Sequence, residues 1–367
     1  MTSDESVPKP RFQKGDMIAG WKVVQKLGEG GFGMVVEVVN RHGLHAACKA
    51  EFYTGRRDNQ LIKKEVPILR LMQWSKHFCK IHLAGQTTTD VNESLNVIVM
   101  TLVGEPLSRI RRQCPSQAFT RSTAVRLLKQ CLEAIRDLHY TGYLHRDVKG
   151  GNFAWHEESR TVYLIDMGFV RQYIVWKDEE KTEVIKRPIR KKAHFLGTSR
   201  YVSLNVHLRK DQGRRDDLWG LVYLFVEFIK GKLPWHDDND RVTTEKKAKI
   251  GSKLLKGCPV EMYKFYDHVR CLGVEDKPNY DLLMNILEKI CARCDYRDED
   301  RLDFERGGRY YEYIMDNKEN ISNSHETTSI TGKGAQKYDD ESDENNEETS
   351  VTDSGTTEES DAEESTN

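Results

Sequence analysis

His145-Arg146-Asp147-Val148-Lys149-Gly150-Gly151-Asn152 is the stretch on which the reading turns. An aspartate followed two residues later by a lysine and five residues later by an asparagine has the offsets of a phosphoryl-transfer loop. Asp147 can accept the proton of a hydroxyl nucleophile. Lys149 can neutralise charge on a phosphoryl group in transit, and the amide oxygen of Asn152 can ligate a magnesium ion without adding negative charge. Fourteen residues after Asn152, Leu164-Ile165-Asp166-Met167-Gly168 sets a carboxylate behind an apolar strand, which suits a magnesium ligand between the β- and γ-phosphates. Taken alone, Asp166 also reads as a loop aspartate capping a turn.

Upstream lie three features that gain meaning from this run. Gly28-Glu29-Gly30-Gly31-Phe32-Gly33-Met34-Val35 fits GxGxxGxV, whose glycines let a backbone turn approach phosphates where a Cβ would obstruct. A dinucleotide fingerprint opens a helix at its third glycine, whereas Met34 to Val39 is a β-branched run and so predicts a hairpin lid. Sixteen residues beyond Gly33, Ala46-Ala47-Cys48-Lys49 ends a strand on a point charge able to hold phosphates, and Glu65, sixteen further, can pair with it. Each of the three, taken singly, is also a glycine-rich turn or an ordinary solvated charge.

The surrounding pattern predicts short strands at 21–24, 34–39, 46–50 and 96–102, interrupted by a helix over about 59–74. After Gly104 the period turns helical, with apolar faces at Ala124 to Leu138, where Ser122 is the expected N-cap, at about 217–230 and at about 281–291. No internal repeat is visible. A strand-rich lobe (15–102) therefore joins a larger helical lobe (104–315), between a flexible N-terminus (1–14) and a tail (316–367) rich in Ser, Thr, Asp and Glu, whose composition is that of disorder.

Composition narrows the function classes. The net charge of −1 conceals a body of +12 and a tail of −13. A basic body suits acidic proteins, nucleic acid or anionic membranes, but no nucleic-acid motif accompanies it. The most apolar stretch, Leu218 to Ile229, is twelve residues broken by Glu227, short of the roughly 20 needed to span a bilayer. Met1 to Arg11 lacks the features of a secretory signal, and the eight cysteines lack a disulfide-scaffold spacing. The expectation is a soluble cytoplasmic protein with reduced thiols, with no membrane or nucleic-acid partner. Cys291-Ala-Arg-Cys294 has zinc-type spacing, without a second pair to complete it, and reads as helix packing.

In the order glycine loop, Lys49, Glu65, Asp147 to Asn152 and Asp166, the chain resembles the eukaryotic protein kinases over about four fifths of its length. The resemblance implies an α+β bilobal protein kinase fold, with a small antiparallel β lobe carrying one helix and a larger mainly helical lobe. It also implies ATP and Mg2+ as cofactors. ATP would lie beneath Leu27, Gly28, Glu29, Gly30, Gly31, Phe32, Gly33, Met34 and Val35, against Ala47, with Met100 as gatekeeper and the Thr101 to Val103 backbone on adenine. Asp217 would brace the catalytic loop. Lys149, together with Thr198 in Gly197-Thr198-Ser199-Arg200-Tyr201, resembles the serine/threonine pattern. Ser203-Leu204-Asn205 stands where Ala-Pro-Glu is usual, which resembles the casein kinase 1 superfamily, and Trp21-Lys22-Val23-Val24, Arg214 to Trp219 and Leu233-Pro234-Trp235 look most like its tau-tubulin kinase branch.

That resemblance implies a monomer acting on acidic or phosphorylated protein sites through a basic anion site, with Arg200 and Lys247 as candidates. The run Lys186-Arg187-Pro188-Ile189-Arg190-Lys191-Lys192 would extend it, and also reads as a solvated loop or a nuclear import signal. Asp339 to Ser342, Glu347 to Ser350 and Asp353 to Thr356 each put an acid three residues before a hydroxyl, so the tail reads as a substrate that docks on its own basic lobe as well as solvated disorder. Two departures concern regulation: Met167 for the usual Phe, and Pro67 inside the helix that must present Glu65. The rival class is a pseudokinase scaffold, against which the intact Lys49, Asp147, Lys149, Asn152 and Asp166 argue.

Overall fold

The computed structural model describes residues 10–29, 33–53, 61–88, 94–177 and 184–318. The N-terminal residues 1–9, the glycine-loop tip 30–32 and the acidic tail from 319 onward lie outside these.

The first lobe is one antiparallel sheet. Its strands are β1 (Met17–Ile18), β2 (Trp21–Glu29), β3 (Met34–Val39), β4 (His45–Phe52), β5 (Ile81–Thr88) and β6 (Ser94–Thr101), in the order β1-β2-β3-β4-β6-β5. In β3 the buried residues alternate, Met34, Val36 and Val38, as a strand with one covered face requires. By contrast β6 is buried from Leu95 to Met100, because both of its faces are covered. One small core fills the β1–β4 side with Val23, Val36, Val38 and Ala46. A second begins on the other face, where helix α1 (Leu61–Leu71) lays Ile62, Ile68 and Leu69 against the sheet, and it continues unbroken into the helical lobe.

That lobe comprises α2 (Leu107–Gln113), α3 (Arg121–Tyr140), β7 (Tyr143–Leu144), the hairpin β8 (Phe153–His156) and β9 (Thr161–Leu164), β10 (Arg171–Gln172), the pair β11 (Ile174–Trp176) and β12 (Val184–Lys186), then α4 (Leu204–His207), α5 (Arg214–Lys230), α6 (Asp240–Ile250), α7 (Met262–Cys271) and α8 (Tyr280–Cys294). A last helical segment at 311–318 runs past the boundary expected at 315. Helix α5 is buried from Gly220 to Phe228, with Glu227 the one charged side chain in that stretch, as the central helix of a lobe must be. It ends at Gly231, whose φ of 79° is the left-handed cap that glycine adopts without strain. Among the described residues no helix is long and apolar enough to cross a membrane.

Several elements depart from the expected pattern. The N-cap of α3 is Thr120, whose hydroxyl accepts from the Thr123 N–H at 3.3 Å, and not Ser122, which lies inside the first turn. Helix α1 continues through Pro67, which occupies its exposed face beside Lys63, so water can satisfy the Lys63 carbonyl that the missing N–H leaves. Cys291 packs in the core from the last turns of α8, as helix packing predicts.

Candidate active site

The catalytic run leaves β7 and re-enters regular structure at β8, so its side chains are held between two short pairings at the edge of the helical lobe. Its backbone is fixed from below. The buried Asp217 carboxylate on α5 accepts the N–H of His145 at 2.7 Å and of Arg146 at 2.8 Å, and the Nε2–H of His139 at 2.8 Å. A carboxylate only accepts, so His139 must donate from Nε2 and accept the Tyr280 hydroxyl at Nδ1. Arg146, at φ 69°, turns through a conformation that side-chain-bearing residues rarely adopt, immediately before the buried Asp147.

Every hydrogen-bond partner of the Asp147 carboxylate is a donor. Oδ1 accepts the Thr198 N–H at 2.9 Å and its hydroxyl at 2.7 Å. Oδ2 accepts Asn152 Nδ2 at 3.0 Å and lies 3.0 Å from Lys149 Nζ, which also donates to Thr198 Oγ1 at 3.0 Å. Burial pushes the Asp147 carboxyl up, but Lys149, Thr198 and His145 outweigh it and hold it below the usual carboxylate range. Asp147 is therefore ionised at neutral pH.

The second half of the site hangs on His145. Its Nε2–H donates to the Asp166 carbonyl at 2.7 Å, which ties the catalytic run to the 166–168 turn. Asp166 Oδ1 accepts the Gly168 N–H at 2.8 Å, and Met167 is buried in the main core, filling the position usual for phenylalanine. Because Asn152 spends Nδ2 on both the Asp147 carbonyl and the carboxylate, its Oδ1 is the atom left for a cation. Among the described residues no group of three or more His, Cys, Asp or Glu side chains is arranged as a metal site. The pair Asn152 and Asp166 supplies two hard oxygens only, an incomplete set that suits a magnesium ion whose shell is finished by phosphate and water.

From the strand lobe, Lys49 on β4 meets Glu65 on α1 at 2.6 Å, so Pro67 does not prevent the pair. Burial opposes the charge on Lys49, but Glu65, Asp166 and Glu51 raise its pKa and keep it protonated. The buried Glu65 has a second oxygen, Oε1, without a partner. β2 and β3 pair with Gly28 opposite Val35 and Glu29 opposite Met34, so the glycine run joins antiparallel strands, as the hairpin reading requires. Gly30, Gly31 and Phe32 lie outside the described residues. At Gly33 a Cβ would sit 2.4 Å from the Ala50 carbonyl oxygen, which only glycine avoids. Leu27 is exposed, while Ala47 and Met100 are buried opposite each other on β4 and β6. The Thr101 N–H is committed to Lys80 O at 2.9 Å, so any adenine contact there falls to its carbonyl, with Val103 beyond it.

The candidate anion residues separate. Arg200 is half-buried and donates to His236 O at 3.2 Å. Lys247 is buried, and this corrects the expectation of an anion ligand. Its Nζ is spent on Ser199 O at 2.7 Å and Val202 O at 2.6 Å, and sits 5.0 Å from the Tyr223 ring and 5.3 Å from Trp235. The polar sequence of α6 conceals this. Ser203-Leu204-Asn205 acquires a structural role: Ser203 Oγ and Asn205 Nδ2 both donate to Asp216, next to Asp217. Tyr201 donates to the buried Glu227 at 2.7 Å, a contact for which the sequence offered no signal.

Residues 21–295 match the family model described as protein kinase domain. The chain belongs to the protein kinase family. It is 39% identical over 286 residues to a Caenorhabditis elegans protein named as a serine/threonine-protein kinase, spanning 76% of this chain and 79% of that one. It is 35% identical over 285 residues to a Dictyostelium discoideum protein named as a probable serine/threonine-protein kinase, 75% of this chain and 54% of that one. A casein kinase I homologue of Schizosaccharomyces pombe is 28% identical over 296 residues, 77% of this chain and 65% of that one. Such homologues recur among the relatives and place this kinase in the casein kinase 1 superfamily. The chain spans about half the length of the first of these relatives.

Proposed function

We propose that this kinase transfers the γ-phosphoryl group of ATP to serine and threonine hydroxyls of proteins. The observation that carries the reading is the Asp147 carboxylate, ionised and ringed by Thr198, Lys149 and Asn152. An acceptor hydroxyl that displaces one of these donors forms its bond to the γ-phosphorus as the bond to the β-phosphate oxygen breaks. Its proton passes to Asp147. A depressed pKa makes Asp147 a weak base, which suits a loose transition state in which the hydroxyl loses its proton late. Lys149 neutralises charge on the moving group, and Lys49, held by Glu65, positions the non-transferred phosphates. Magnesium, when bound, supplies charge neutralisation between the β- and γ-phosphates, and Asn152 Oδ1 and the Asp166 carboxylate would hold it.

The proposal extends to acidic or phosphorylated acceptor sites. Its support is the +12 body, Arg200, and the exposed side chains of Lys186, Arg187, Lys191 and Lys192 on the same segment as Thr198. A monomer of the tau-tubulin kinase type, acting in the cytoplasm, completes the reading. The test is transfer of label from ATP to paired peptides that differ only in acidic residues beside one serine. The reading expects phosphoserine, preferentially in the acidic peptide, and a preference reduced by Arg200→Ala. Label on tyrosine alone, or none with magnesium present, contradicts it.

A further inference from the structure

β4 carries two charged side chains on one face, Lys49 and, two residues on, Glu51. Lys49 belongs to the site already described. Glu51 does not, yet it is 3% exposed, and a carboxylate so buried must be fully hydrogen-bonded or carry a large desolvation penalty. Its partners explain it. Oε2 accepts the Leu61 N–H at 3.0 Å, Oε1 accepts the Ile62 N–H at 3.1 Å, and Asn96, paired directly opposite on β6, donates to Oε1 at 3.1 Å. Leu61 and Ile62 are the first residues of α1, whose first turn contains no acidic residue of its own. A carboxylate from a neighbouring strand thus satisfies helix N–H groups that have no intrahelical acceptor, and its charge complements the helix dipole.

Glu65 lies one turn further along α1. At the other end of the helix, Gln73 donates to Leu69 O at 2.8 Å and Cys79 O at 3.0 Å, and so ties the last turn to the start of β5. The helix is therefore anchored at both ends. A single strand supplies the cation that pairs with Glu65 and the anion that fixes the turn before it. Burial raises the Glu51 pKa, while Asn96, the two backbone N–H groups and Lys49 oppose that rise.

We propose that Glu51 is a positioning residue for phosphoryl transfer, its carboxylate clamping the first turn of α1 to β4 and β6 so that Glu65 stays within reach of Lys49. The inference rests on the kinase reading above. Glutamine at this position keeps the shape but turns an amide N–H2 toward a backbone N–H. Steady-state kinetics on the full chain, in wild type, Glu51→Gln, Glu65→Gln and the double variant, separate positioning from general stability. Glu51→Gln alone is expected to lower kcat/KM for ATP by about 10- to 100-fold, the effect of a displacement of about 1 Å remote from the chemistry. In the Glu65→Gln background the further loss should nearly vanish, while thermal melts shift alike in both backgrounds. Equal losses in the two backgrounds, agreeing within about twofold as independent sites do, would overturn the proposal, as would no loss in the single variant. If Glu51→Gln does not fold, Asn96→Ala, which removes one of the three bonds, is compared in the same two backgrounds. The kinase reading fails separately, through an inactive wild type.

Discussion

Replacing Asp217 tests how the catalytic loop is held. Asp217 is 2% exposed and accepts three hydrogen bonds, two of them from the backbone of His145 and Arg146. Alanine would strand all three donors in a place water does not reach, and each unsatisfied buried group costs about 1–3 kcal/mol. The sum is roughly 3–6 kcal/mol once partial relaxation is allowed, a large share of the 5–15 kcal/mol that a domain commonly has. Asparagine is the more informative change. Its carbonyl oxygen can still accept from one side, but its N–H2 faces a donor, and about 2–3 kcal/mol should be lost. Without the bond to its N–H, Arg146 is no longer held at φ 69°, a conformation that costs a side-chain-bearing residue about 1–2 kcal/mol. The loop should therefore relax toward an ordinary turn that no longer aims Asp147. Thermal melts report the stability, and amide hydrogen exchange over 143–149 reports the loop. Asp217→Asn should melt lower, exchange faster at His145 and Arg146, and lose kcat more than ATP affinity. A variant that matches wild type in melting and exchange refutes the bracing argument, whatever its activity.

Other changes probe the surroundings. Lys247→Met, which keeps the stem between Tyr223 and Trp235 but frees the Ser199 and Val202 carbonyls, should raise KM for protein substrate about 3- to 10-fold with little change in KM for ATP, as misplacement of a positioning loop does. At Gly220 on α5 a Cβ would approach Val148 Cβ to 2.7 Å. Gly220→Ala should therefore destabilise by about 1–2 kcal/mol despite its better helix propensity, readable in thermal melts. Burial and the neighbouring Lys247 lower the His207 pKa to about 4. Below about 6.5 the unfolded chain takes up a proton that the folded one refuses, so stability falls as pH drops toward 4. With the partial exposure of the ring discounted, the loss should be on the order of 1–2 kcal/mol, and His207→Gln should flatten the melting temperature between pH 7.5 and 5.

The residues assigned to the chemistry were legible because fixed offsets bind them: Lys49, Asp147, Lys149, Asn152 and Asp166 stand out without a structure. What was hidden depends on partners distant in the chain. Lys247 reads from sequence as a candidate anion ligand, and only the folded chain shows its Nζ enclosed by two carbonyls, His207 Nε2 and the rings of Tyr223 and Trp235. Glu51 reads as a charge at a strand end, since its helix partners lie ten residues or more away. β5 went unseen because Ile81–Thr88 lies at the sheet edge and neither alternates nor carries a continuous apolar run. Ser122 was a reasonable cap for α3, but Thr120 two residues earlier offers the same hydroxyl, and tertiary contacts decide between them. Thr120 also donates to Asp303, at 2.8 Å through its hydroxyl.

The central claim is that Asp147 accepts the proton as a serine or threonine hydroxyl takes the γ-phosphoryl group. Asparagine at 147 keeps the shape and removes the base. With labelled ATP, magnesium and an acidic protein acceptor, wild type should deposit label on serine and threonine, and Asp147→Asn should fall by about 10² to 10⁴ in rate while melting near wild type. Equal incorporation by the two proteins would contradict the account.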